Sequence, residues 1–238
     1  MQAQKADAML TFEAGADAFH NQDHEGALKA WTKAAENGDV ESLFNLGLMY
    51  ANGNGVERDW KAAREWFMKA VEHGHTESEY SLGVIYNVGF GVEQDSAEAA
   101  YWYKRAAEKG NAEAQCNLAG LYEAGDGVSR DYLKAVELYS SAAELGYVIA
   151  VFNLGVMCEN GTGLEQDVDR AIVFYELAAN AGLAAAQYNL GVIYAKGTGV
   201  EVDIDKARDW LEKAAEQGNK LAVQNLELID ADTQATGS

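Results

Sequence analysis

The sequence predicts an all-α solenoid of antiparallel helix pairs, and three observations carry that prediction. First, a motif built on Asn45-Leu46-Gly47-Leu48-Met49-Tyr50 returns every 36 residues. Leu46 recurs as Leu82, Leu118, Leu154, Leu190 and Leu226; Gly47 as Gly83, Gly155 and Gly191, with Ala119 once; Tyr50 as Tyr86, Tyr122 and Tyr194, with Cys158 once. Second, there is no proline among 238 residues but there are 24 glycines, so glycine must turn the loops of a chain made mostly of helices. Third, hydrophobic residues make up 48% of the chain, ample for a continuous core. A fixed period of this length marks stacked repeats, none of which can bury its apolar face alone.

In chain order, residues 1–6 are expected to be disordered. Residues 7–38 form a shorter helix pair marked by Gly15, Ala18, Ala27, Trp31, Ala34 and Gly38. Gly15 and Ala27 are 12 positions apart, whereas Gly47 and Ala63 are 16 apart, so the first pair lacks a four-residue Gly-x-Gly-Val insertion. Five full units follow at 39–74, 75–110, 111–146, 147–182 and 183–218, each starting after a glycine able to end the preceding helix. Asp39 and Asn111 are good N-caps for the first helix of their units. Gly53 and Gly55, with their equivalents, close that helix, and Val56 (Val92, Val128, Leu164, Val200) pins the loop to the core.

An aspartate column comes next: Asp59, Asp95, Asp131, Asp167 and Asp203, each placed to cap a second amphipathic helix. That helix supplies small and aromatic residues such as Ala63, Trp66, Phe67 and Ala70, which set close approach and fill the space between layers. Residues 219–230 repeat Leu226 but carry Glu227 and Asp230 where Gly47 and Tyr50 would fall. A terminal capping helix with a polar outer face is expected there, then a disordered tail over 231–238.

The net charge of −20 is spread along the chain: residues 1–119 hold 10 basic and 19 acidic side chains, residues 120–238 hold 8 and 19. Such a surface repels nucleic acid and anionic lipid and draws cationic partners. Cys116 and Cys158 fall at different positions of neighbouring units, which fits core substitution rather than a disulfide. No apolar run reaches the roughly 18 residues of a membrane span. The first residues lack the apolar segment of a signal peptide. The expectation is cytoplasmic, or periplasmic if a leader is removed; oligomeric state is unknown, with a monomer as the default.

No catalytic set, cofactor or metal site emerges. His20 and His24 are separated by an expected turn without a third ligand, and His73 and His75 flank Gly74 as solvent-exposed junction residues. Gly-x-Gly-Val lacks the Lys-Ser/Thr of a phosphate loop and recurs as a turn.

The pattern Leu-Gly-x-x-Tyr-x-x-Gly-x-Gly-Val-x-x-Asp-x-x-x-Ala-x-x-Trp, then Lys-Ala-Ala-x-x-Gly, resembles the SEL-1-like repeat, a bacterially common relative of the tetratricopeptide repeat. It covers residues 39–218, and residues 7–38 resemble an ordinary tetratricopeptide unit. The resemblance implies a right-handed superhelix of six repeats plus a capping helix, first helices lining the concave side, and use as a protein-binding scaffold. One disulfide-rich branch of the family is linked to penicillin binding and hydrolysis; the lack of a cysteine pair in each repeat argues against membership of it.

The candidate site is therefore a surface. Asn45, Ser81, Asn117, Asn153, Asn189 and Asn225 form one column of the first helices, able either to grip an extended peptide backbone or to contact the adjacent repeat. One turn earlier stand Glu41, Glu77 and Glu113, then Ile149, Ala185 and Leu221, acidic toward the N-terminus and apolar toward the C-terminus. Phe44, Tyr80, Phe152 and Tyr188 form an aromatic column with anchors at its edges, and Phe90 is an exposed aromatic. The functions that follow are a non-enzymatic adaptor binding a protein segment in the groove, an immunity protein neutralising a basic bacterial toxin, and, remotely, a penicillin-binding or β-lactamase-like enzyme.

Overall fold

The computed structural model describes residues 2–236, with side chains over 11–231. It contains thirteen α-helices and no strand among the described residues. They are α1 (Gln2–His20), α2 (His24–Glu36), α3 (Val40–Asn52), α4 (Trp60–Glu72), α5 (Thr76–Val88), α6 (Ser96–Glu108), α7 (Ala112–Ala124), α8 (Tyr132–Glu144), α9 (Val148–Asn160), α10 (Val168–Asn180), α11 (Ala184–Lys196), α12 (Ile204–Glu216) and α13 (Lys220–Thr236). The chain divides into two compact units, 1–130 and 131–238.

Both terminal helices extend into stretches the sequence suggested were disordered: α1 begins at Gln2 and α13 runs to Thr236. Residues 2–6 and 231–236 hold neither glycine nor proline, so nothing local breaks either helix. Met1, Gly237 and Ser238 lie outside the described residues.

In the N-terminal unit the pairs α1–α2, α3–α4 and α5–α6 stack in order, with α7 on the last. Ala27, Trp31, Leu46 and Met49 form the first core layer; Phe67, Leu82, Ile85 and Trp102 belong to the second. In the C-terminal unit α8 packs on α9, and α9–α10 and α11–α12 pair, with α13 on α12. Tyr175, Leu190, Ile193 and Cys158 share one layer, and Leu211, Ala214 and Ala222 the next. Both cysteines are free and buried.

The repeated turn is a backbone device. Gly89 ends α5 with φ of 82°, a left-handed conformation, and its N–H donates to the Ile85 carbonyl. Gly91, with φ of 67°, lies so close to α4 that an added Cβ would stand 2.6 Å from the Trp60 Cβ. The chain then returns to the helix it left: the N–H groups of Asp59, Asp95, Asp167 and Asp203 donate to the carbonyls of Tyr50, Tyr86, Cys158 and Tyr194 at 2.9–3.0 Å. That bond needs no side chain, so Cys158 can replace tyrosine in its column.

Each aspartate of the column caps the following helix, its carboxylate accepting from backbone N–H groups two or three residues on. Gly155 holds the close approach of α9 and α10, where an added Cβ would meet the Tyr175 ring at 2.8 Å.

The last helix exposes Glu227 and Asp230, as expected, but also apolar side chains. Leu221, Val223 and Leu228 are 55%, 43% and 63% exposed. Val223 shares its register with Leu43, Glu79, Gln115 and Gln187, all buried. Glu79 and Gln187 are covered by the second helix of their own repeat and its C-cap, through Arg105 of α6 and Lys109 just after it, and through Gln217 just after α12. α13 has no such second helix, so the same face stays open.

Candidate functional site

The column of asparagines resolves into two kinds of environment. Asn117, half-buried on α7, lies beside the hydroxyls of Tyr80 on α5 and Tyr103 on α6 and lowers the pKa of both. Burial first, then the neighbouring Glu113 carboxylate, pushes the Tyr80 hydroxyl above its ordinary value of 10.0, and Asn117 draws it back. Burial likewise pushes Tyr103 far upward against the pull of Asn117. In the C-terminal unit Asn189 plays the same part for Tyr175. Burial raises the Tyr175 hydroxyl most, assisted by its 2.5 Å bond to the Glu159 carboxylate.

Asn117 and Asn189 thus sit against tyrosine hydroxyls of the helix pair before their own. Tyr103, Tyr139 and Tyr175 stand 14 residues ahead of Asn117, Asn153 and Asn189, whereas Phe67, without a hydroxyl, stands ahead of Ser81. Ser81 instead turns its hydroxyl back to the Glu77 carbonyl.

Asn45 and Asn225 have no tyrosine at that spacing, their counterparts being Trp31 and Leu211. Both line cavities. Asn45 borders one of about 520 Å³ with Phe19, Trp31 and Leu48. Asn225 borders one of about 290 Å³ with Val192, Leu211 and Ile229. Asn153 is half-buried on α9.

The acidic column lies mostly open. Glu41 and Glu77 have side chains 61% and 58% exposed, and Glu113 is half-buried. Between the first two sits a residue the sequence reading misplaced. His75 is buried, not exposed: its Nδ1 accepts the Ser78 N–H as the N-cap of α5, and its Nε2 lies 3.3 Å from Glu41 and 3.7 Å from Glu77. Its register with Asp39 and Asn111, both N-caps, was the available signal.

The aromatic column is mostly packing. Tyr80 is half-buried 5.9 Å from the Tyr103 ring, Phe152 is half-buried 5.6 Å from Tyr175, and Tyr188 packs on the Leu211 layer. Phe90 is stacked on Trp60 at 4.3 Å instead of standing free. His20 ends α1 and His24 opens α2, across a turn in which Gln22 has φ of 63°. Among the described residues no group of three His, Cys, Asp or Glu side chains is arranged to hold a metal ion.

The model of the Sel1 repeat matches residues 40–75, 76–111, 112–147, 148–183 and 184–219. Among solved structures, a Sel1 repeat protein from Oxalobacter formigenes is 34% identical over 91% of this chain and 89% of its own, with a TM-score of 0.85. A protective antigen of uropathogenic Escherichia coli strains, displaying an SLR fold, is 35% identical over 96% of this chain with a TM-score of 0.80. This chain spans only 48% of that protein's length. An immunity protein from Pseudomonas aeruginosa is 24% identical over 77% of this chain and 67% of its own, with a TM-score of 0.53, a likeness of fold alone. Among curated proteins none matches. Repeats of this kind are general protein-interaction scaffolds and as a rule non-catalytic. With five consecutive matches in unbroken register and helix pairs to go with them, the chain belongs to the Sel1 repeat family.

Proposed function

We propose that the chain is a non-enzymatic adaptor that holds a protein segment against the exposed side of its first helices. The observation that carries this is the column one turn before the asparagines. It presents the carboxylates of Glu41 and Glu77 in the N-terminal unit and the exposed apolar side chains of Ile149 and Leu221 in the C-terminal unit. The two apolar side chains, 43% and 55% exposed, gain from being covered by a partner. Asn45 and Asn225 offer amides beside this column.

The test is affinity capture with the purified chain against two variants, Glu41→Lys with Glu77→Lys, and Ile149→Asp with Leu221→Asp. A protein retained by the parent and lost by either variant supports the adaptor. Equal retention by all three moves binding elsewhere. Replacing Asn117 and Asn189 is a poorer test, because it removes neighbours of tyrosine hydroxyls inside the fold.

The net charge of −20 favours a second reading, an inhibitor that occludes a basic toxic enzyme. The likeness in fold to the immunity protein from Pseudomonas aeruginosa supports this reading. Rescue of growth when the chain is co-expressed with a basic toxin encoded beside it would support this reading, and failure of rescue would count against it.

A further inference from the structure

We propose that the cavity beside Trp31 is a pocket for one large apolar side chain carried on a basic, extended protein segment. This rests on the adaptor reading and gives the chemistry of its N-terminal end. The cavity of about 520 Å³ is walled by Ala16, Phe19 and His20 of α1, Trp31 of α2, and Asn45 and Leu48 of α3. That volume lies in the range of pockets that bury small ligands, and it accommodates an aromatic side chain.

The polar groups at the pocket point to the backbone of the same segment. Trp31 is spoken for, its indole N–H donating to the Phe12 carbonyl at 3.2 Å. Asn45 thus faces no tyrosine hydroxyl of the kind that engages Asn117, and its amide can pair with a peptide group at the mouth.

The charge around the pocket selects the flanking residues. Glu13 and Asp17 are exposed on α1, and Glu13 occupies in α1 the register that Asn45 has in α3. Glu41 is exposed four residues before Asn45, about 6 Å along the axis. Among the described residues no lysine or arginine lines the cavity. Lysine or arginine on either side of the anchoring residue therefore meets carboxylates from both helices.

The experiment is an amide chemical-shift titration of the full chain with three short peptides: phenylalanine flanked by lysines, alanine flanked by lysines, and phenylalanine flanked by glutamates. The first peptide is expected to shift resonances around Ala16, Asn45 and Leu48 and to bind about tenfold or more tightly than the other two. Ala16→Trp, which fills the cavity from an exposed position, abolishes those shifts while helicity is retained. Glu13→Lys with Glu41→Lys leaves the cavity open and weakens binding about tenfold. Equal binding of the phenylalanine- and alanine-centred peptides overturns the pocket, as does the absence of any shift. Shifts confined to α5 and α7 around Glu77 and Glu113 overturn the pocket but leave the adaptor standing, since the acidic column alone then holds the basic segment.

Discussion

Asparagine in mid-helix gives up helix propensity for something, and for Asn117 and Asn189 that something is a tyrosine hydroxyl on the preceding layer. Asn117→Ala strands two tyrosine hydroxyls, so we expect a loss of about 1–2 kcal/mol in urea unfolding, against less than about 0.5 kcal/mol for Ser81→Ala. In a Tyr80→Phe, Tyr103→Phe background the Asn117→Ala cost should shrink; an unchanged cost refutes the pairing. Tyr80, Tyr103, Tyr175 and Tyr194 are all raised above 10.0, chiefly by burial. Their folded hydroxyls keep protons that the unfolded chain loses near pH 10, so above that pH the unfolded state binds fewer protons. The stability they contribute is complete below pH 10 and falls as pH rises through the folded values. Thermal midpoints across the alkaline range should show it, and Tyr103→Phe with Tyr175→Phe should flatten the fall. Glu79 is fully buried between Arg105 at 2.6 Å and Lys109 at 2.8 Å, where α3 has Leu43. Removing one partner leaves charge uncompensated, whereas an apolar replacement removes the need for pairing. Chemical denaturation should accordingly find Arg105→Ala costlier than Glu79→Leu with Arg105→Leu, and the reverse order would show the ion pairs to be dispensable.

At the scale of the helix and its turn, backbone demands dominate. Gly91→Ala must adopt positive φ and also push Cβ against Trp60, whereas Gly110→Ala at φ of 88° meets nothing within 4 Å. We expect about 1 kcal/mol for Gly110→Ala and about 2–4 kcal/mol for Gly91→Ala, read from denaturant midpoints. Equal costs would mean that α4 gives way at little expense. This is also why so much of the fold was legible: Gly53, Gly55, Asp59 and their equivalents recur because a left-handed turn and an uncapped helix end admit few residue types. His75 escaped notice because imidazole is an unusual cap, and only its register betrays it. The asparagine column was ambiguous because its partner lies 14 residues back on another helix, a relation no helical periodicity displays. The polar outer face expected of α13 is mixed: Gln224, Glu227 and Asp230 stand exposed, and Leu221, Val223 and Leu228 lie open beside them because no second helix covers that face.

Across the molecule the charge is one-sided, and its members repel one another in the folded state. Raising salt from low ionic strength should lift the thermal midpoint by screening that repulsion, whereas a drop would reveal that attractive pairs such as Glu79 with Arg105 outweigh it. The loops bear on how such a protein diversifies. The second glycine of each loop rests on the first turn of the preceding repeat's second helix: Gly55 on His24, Gly91 on Trp60, Gly127 on Ser96, Gly163 on Tyr132, Gly199 on Val168. The gauge between successive layers is thus a glycine set against the first residues of a second helix, a contact to which the side chains displayed by the first helices contribute nothing. Mutation can rewrite what the first helices display, from Glu41 to Ile149 to Leu221, and each layer is still measured off by the same bare stretch of backbone, so recognition drifts while the framework that presents it keeps its rhythm.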